Sequence, residues 1–216
     1  MRNKALPLLF AVLSVLMIFS SCGKHAERRV KVYGYVNGEA ILQDEVEYFM
    51  KRNKAETIKY YSEEYGVTDY SDFWDKEFDG KTPHDMLTEI SFRDACEYKA
   101  VFLLMKEKHI YRDISFLGLK EEALKYNKKH KSEKAVGANT IDTESFYTYY
   151  FQTGEIELKN RLTESGDIPA PDEDEIREYI KNNPGVSESS AAAALTEKAF
   201  ADYISELIEK AEIKTV

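Results

Sequence analysis

The sequence predicts a mainly α protein, a helical bundle with a small β-ribbon formed by an N-terminal hairpin and a C-terminal strand. Three observations carry that reading. Apolar residues recur at helical spacing through most of the chain, most cleanly at Phe200, Tyr203, Ile204, Leu207, Ile208 and Ala211. An Asn37-Gly38 pair separates two short β-rich runs, and both residues tolerate the positive φ that a tight hairpin turn demands. A last alternating run, Glu212-Ile-Lys-Thr-Val216, has nothing nearby in sequence to pair with.

The first segment belongs to neither bundle nor ribbon. Met1-Arg-Asn-Lys4 is basic, Ala5 to Phe19 is apolar, and Ser20-Ser21 precedes Cys22, which is the layout of an export signal. The apolar run holds Pro7 and falls short of the roughly 20 residues that a spanning helix needs. Its ending resembles a bacterial lipobox, with Phe19 standing where leucine is usual. Residues 1–21 then form a lipoprotein signal peptide, Cys22 is the lipidated residue, and 22–29 are a polar tether. Cleavage removes Arg2 and Lys4 and no acid, leaving 28 basic against 39 acidic residues, a net −11. Such a chain is repelled by an anionic bilayer, so the lipid must hold it at the membrane.

Val30–Val36 and Glu39–Ile41 are the hairpin strands. A two-stranded ribbon is marginal in water, so Ile213–Val216 is expected to add to it and bring the chain ends together. From Gln43 a helix places Val46, Phe49, Met50, Ile58, Tyr61 and Tyr65 near one stripe and stops at Gly66. Asp69–Phe78 is a short helix or turn closed by Asp79-Gly80. Thr82 as N-cap, Pro83 in the first turn and Asp85 at the third position start a helix that reaches about Lys108. Its Ala100–Met105 stretch is apolar all round and belongs at the centre of the core.

A loop at Tyr111–Phe116 leads to a polar helix over about Leu119–Lys134, which Gly137-Ala138-Asn139 breaks. Thr143 to about Glu164 is helical. Residues 165–171 form a linker, Asp172–Asn182 a short acidic helix, and Asn183-Pro184-Gly185 a stop. Ser187–Ala194 reads either as a linker or as a frayed lead-in to the last helix. The expected organisation is a helical domain over 30–164, a linker with an acidic helix over 165–195, and a helix and strand over 196–216 that complete the domain.

Composition limits the function. The net charge of −9 over 216 residues lacks the basic footprint of a nucleic-acid binder, so no nucleic-acid partner is expected. Two cysteines exclude a disulfide scaffold and a four-cysteine zinc site. No phosphate-binding glycine loop, nucleophile elbow, paired-histidine zinc motif or calcium loop occurs. The four histidines, His25, His84, His109 and His130, share no i, i+4 pair. The paired acids read as solvated faces and helix N-terminal charges, and Cys96 as a buried helical thiol. No catalytic residue, metal or cofactor is expected. Aromatic clusters at Tyr60-Tyr61, Phe73-Trp74 and Phe146–Phe151 are the one feature able to carry recognition, because tyrosine and tryptophan offer rigid area with a polar tip. They either pack a small core or line a groove. Five aromatics in six positions of one helix cannot all face inward, which makes Tyr147, Tyr149 and Tyr150 candidates alongside Tyr60, Tyr61, Phe73 and Trp74.

Val36-Asn-Gly-Glu-Ala-Ile41 followed by Asp44-Glu45-Val46 resembles the opening of the SurA/PrsA-type N-terminal chaperone domain. Phe73-Trp74, then Phe78-Asp-Gly-Lys-Thr-Pro83, is similar to lipoprotein members of that group from Gram-positive bacteria. Tyr203-Ile204, Leu207-Ile208 and Ala211-Glu-Ile213 resemble the helix and strand that end such proteins. The likeness spans about Val32–Leu162 and Phe200–Val216. Foldases of this group carry a parvulin-type prolyl isomerase domain before the last helix. Here only some 14 residues separate Lys181 from Thr196, too few to hold one. The resemblance therefore implies a non-catalytic, lipid-anchored protein on the outer face of the cytoplasmic membrane of a Gram-positive bacterium. It would bind unfolded or partly folded exported polypeptides. A prolyl isomerase with a divergent site and an accessory lipoprotein for one dedicated partner are the alternatives.

Overall fold

A computed structural model describes residues 30–130 and 140–216; Cys22, the tether and the Gly137–Asn139 break lie outside them. Strands β1 (Val32–Val36) and β2 (Glu39–Leu42) form the expected hairpin, with Asn37 at φ 49° and Gly38 at φ 83°. Strand β3 (Ile213–Thr215) pairs antiparallel with the other side of β1, giving the order β2-β1-β3 with Val36 opposite Ile213 and Gly34 opposite Thr215. The two ends of the described chain thus meet in one sheet. Asn37 has a second task beyond its turn: its N–H donates to the Glu212 carbonyl at 2.9 Å, and its Oδ1 accepts from the Glu212 N–H at 2.7 Å.

Gly34 is where this sheet meets the helices. A Cβ there would lie 2.5 Å from the Lys214 carbonyl oxygen and 2.6 Å from the Phe92 ring. Backbone cannot yield as a flexible side chain would, so Gly34→Ala should destabilise the protein by about 1–3 kcal/mol through overpacking. An unchanged melting temperature would show that β3 is not held where described.

Helix α1 (Gln43–Tyr65) ends at Gly66, whose φ of 63° is the left-handed cap that glycine adopts without strain. Helix α2 (Pro83–Glu107) opens on a capping box in which Asp85 N–H donates to Thr82 Oγ1 at 3.1 Å and Thr82 N–H donates to Asp85 Oδ2 at 3.2 Å. A single 3₁₀ turn, Phe73–Asp75, lies between them. Among the described elements, α1 and α2 pack on one another most extensively. Ala100, Val101, Phe102, Leu104 and Met105 are buried as the all-round apolar stretch requires, with Leu103 half-buried.

Helix α3 (Phe116–His130) begins three residues before the expected Leu119. The Ser115 hydroxyl accepts from the Gly118 N–H at 3.0 Å and caps it there. Helix α4 (Thr143–Ser165) is capped by Asp142 and approaches α2 closely at Gly154, where a Cβ would meet Met105 Sδ at 2.7 Å. Helix α5 (Glu173–Asn182) has its own capping box, Asp172 with Glu175. Helix α6 runs unbroken from Glu188 to Glu209 with Ser187 as N-cap. The boundary expected at 195/196 therefore falls inside a helix. Ser187 caps it, and the alanine run that read as loose is the best of helix formers. Ala191 is fully buried on α6. The 165–171 linker is docked rather than free at Ile168, which is buried and donates its N–H to the Leu162 carbonyl at 3.1 Å. The described residues from Lys31 to Val216 form one compact unit.

Candidate functional site

Tyrosines at 61 and 65 share one face of α1, and the stop at Gly66 leaves both near the helix end. Their rings stack at 5.4 Å, and each packs on Phe78 at about 5 Å (5.0 and 5.1 Å), in the tight turn that a Phe78–Lys81 bridge closes. These rings form one wall of a surface groove of about 550 Å³, within the roughly 300–1,000 Å³ usual for ligand pockets. Its floor is the α2 face of Met86, Ile90 and Phe92, and Ile213 of β3 borders the far side. Tyr60 and Tyr65 present exposed surface of 41% and 36%, and Ile213 presents 45%. The groove is thus an open, apolar and aromatic channel with hydroxyls at its rim.

Its charges balance. The Tyr65 hydroxyl donates to Asp79 Oδ2 at 3.1 Å, and the neighbouring carboxylate holds the phenol's pKa up to about 12. Lys81 pairs with Glu89, and Arg93 lies 3.7 Å from both Asp94 and Glu97. With both signs present, shape and apolar contact dominate what the groove can select. Cys96, which lines the same groove, is 1% exposed, and burial pushes its thiol up to about 12, so it is inert as a nucleophile at neutral pH.

The seven candidate aromatics do not act together. Tyr60 and Tyr61 line the groove. Phe73 is buried behind Tyr61, with ring centres 5.7 Å apart, and serves as support. Trp74 lines a separate shallow cleft with Met50 and Leu87, and the Lys54 ammonium sits 5.4 Å from its ring centre. Tyr147 is 1% exposed and belongs to the core, which corrects its reading as a surface candidate. Its ring lies 4.7 Å from Tyr48 and 5.5 Å from Phe116. Tyr150 is half-buried and stacked on Tyr111 at 3.8 Å, and of the three α4 tyrosines only Tyr149, at 48%, is openly exposed. None of the three α4 tyrosines lines the groove. The residues missed were Tyr65, Phe78, Phe92 and Ile213. Tyr65 was visible as the i+4 partner of Tyr61, whereas Phe92 reaches the groove through the packing of α2 on α1 and Ile213 through the sheet.

A second polar cluster lies in the core. Lys99 Nζ sits 3.1 Å from Glu45 Oε1 with both side chains at most 1% exposed, and the Tyr147 hydroxyl donates to the same oxygen at 3.3 Å. Lys99 also donates to the Ile114 carbonyl at 3.4 Å, while Glu45 Oε2 has no partner. Burial raises the Glu45 pKa, and Lys99 is the main group opposing that rise. Enclosure makes this cluster structural. Among the described residues, no group of three histidine, cysteine or acidic side chains is placed to hold a metal ion. No protein-family model, curated protein or solved structure matches this chain.

Proposed function

We propose that this protein is a non-catalytic, lipid-anchored holder of unfolded or partly folded exported polypeptides, of the SurA/PrsA type without the isomerase domain, and that the aromatic groove beside β3 is its binding site. The observation that carries this is the groove itself: an open channel walled by Tyr60, Tyr61, Tyr65 and Phe78, apolar in its floor and neutral in its charge. Rigid rings with polar tips suit many sequences at modest affinity, because they bury area at little entropic cost. Lipidation of Cys22 would tether the site at the outer membrane face, where exported chains emerge unfolded.

The test is binding of a fluorescent unfolded polypeptide to the lipid-free protein starting at residue 23. Replacing the exposed rings in Tyr60→Ser and Tyr65→Ser together should weaken binding at least 10-fold, since buried interface aromatics are worth more than 1 kcal/mol each. The melting temperature should fall by no more than a few degrees. Equal affinity in the variant would remove the groove from the reading. A saturable rate in a protease-coupled prolyl-peptide assay would overturn its non-catalytic part.

A further inference from the structure

The groove has a neighbour that hydrophobic contact alone does not use. In the β1–β3 pairing, Asn37 N–H donates to the Glu212 carbonyl and Val216 N–H donates to the Tyr33 carbonyl, with Tyr35 opposite Lys214 between them. The backbone groups of Glu212, Lys214 and Val216 therefore point toward β1. Antiparallel pairing alternates, so the N–H and C=O of Ile213 and Thr215 point away from it, along an edge where no partner stands among the described residues. That edge carries no proline and no bulge, and Ile213 itself lines the groove.

We infer that the site captures an extended segment by antiparallel strand addition to β3, with alternate apolar side chains lowered into the aromatic groove. The inference rests on the groove being a polypeptide site and states how the chain is held. Only an extended backbone matches two outward N–H/C=O sets spaced two residues apart, and its inward side chains then fall on the face that Ile213 shares with the groove. Charge fixes the order of the other residues. Glu212 and Lys214 lie on the opposite, solvent face of the strand, where they pair with each other at 2.8 Å. An antiparallel partner places an acid opposite Lys214 and, two residues later, a base opposite Glu212. Read from its N-terminus the favoured segment is apolar, acidic, apolar, basic. β3 is only three residues long, so the added strand gains two closely hydrogen-bonded pairs and is released readily.

The test uses the same lipid-free protein and a fluorescent peptide containing Val-Glu-Phe-Lys. N-methylation of the phenylalanine amide, which would face Ile213, should weaken binding at least 10-fold. N-methylation of the glutamate amide, which faces solvent, should change it less than about twofold. The exchanged variant E212K/K214E keeps the surface ion pair and should reverse the preference between Val-Glu-Phe-Lys and Val-Lys-Phe-Glu. Amide shifts on binding should centre on Ile213 and Thr215. If both methylated peptides bind alike while Tyr60→Ser with Tyr65→Ser still weakens binding, the groove holds polypeptide and strand addition is wrong. If no peptide binds, the groove reading falls with it.

Discussion

Lys99→Met should destabilise the protein by about 3–5 kcal/mol, the cost of leaving a buried carboxylate without its counter-charge. Glu45 already has one oxygen with no partner and depends on Lys99 and Tyr147 for the other. Without the ammonium, burial acts on Glu45 unopposed by its strongest stabiliser, and the carboxyl folds in its neutral form. Its folded pKa then lies further above the unfolded value of about 4.3 than it does in the parent protein. Between those two values the folded state binds more protons than the unfolded one, so stability falls as pH rises, by up to about 1.4 kcal/mol per pH unit. The variant's deficit should be smallest near pH 4 and grow toward neutrality. Urea denaturation at pH 4, 5.5 and 7 measures this, and a deficit independent of pH would contradict it. Replacing both partners together, Glu45→Leu with Lys99→Met, should recover most of the loss, because no charge is then stranded.

Tyr147→Ala should cost about 3–5 kcal/mol, since it empties a large buried ring site and removes a donor to Glu45. Tyr149→Ala, two residues on, should stay within about 0.5 kcal/mol, because that ring is 48% exposed. Denaturant midpoints for the two variants measure the contrast. Similar losses would mean that α4 is rotated from the face described.

The same pair of residues shows where sequence reading stopped. Five aromatics in six positions required some to be exposed, and composition could not choose which. The choice is set by rotation of α4 about its axis, and that depends on Gly154 lying against Met105, a contact between residues far apart in sequence. Thr82, Pro83 and Asp85 announced the start of α2, because a cap is a local hydrogen-bond problem solved within four residues. Asn37-Gly38 announced its turn for the same reason, while the bond from Asn37 to Glu212 had no local signature. The alternation at Glu212–Val216 was legible, and so was its need for a partner. Glu45 and Lys99 were not: Lys99 adjoins the apolar Ala100–Met105 stretch and Glu45 adjoins Val46, but a charged side chain is almost never fully buried unless paired, and the pair joins residues 54 positions apart. In the groove, the α1 tyrosines were visible as a stripe, but the far side came from a strand about 150 residues later, roughly ten times the span of a usual pattern window.

The closing of the sheet also sets a timetable. Val36 and its partner Ile213 are about 180 positions apart, so in a chain that emerges N-terminus first β1 is present well before β3. Helix α1 and helix α2 follow the hairpin directly and contact one another extensively, so their association needs only short loop closure. The hairpin is therefore seated early while the Tyr33, Tyr35 and Asn37 backbone groups on its outer side await hydrogen bonds. During that interval the nascent protein presents a free strand edge of its own, and any extended segment nearby competes with β3 for it.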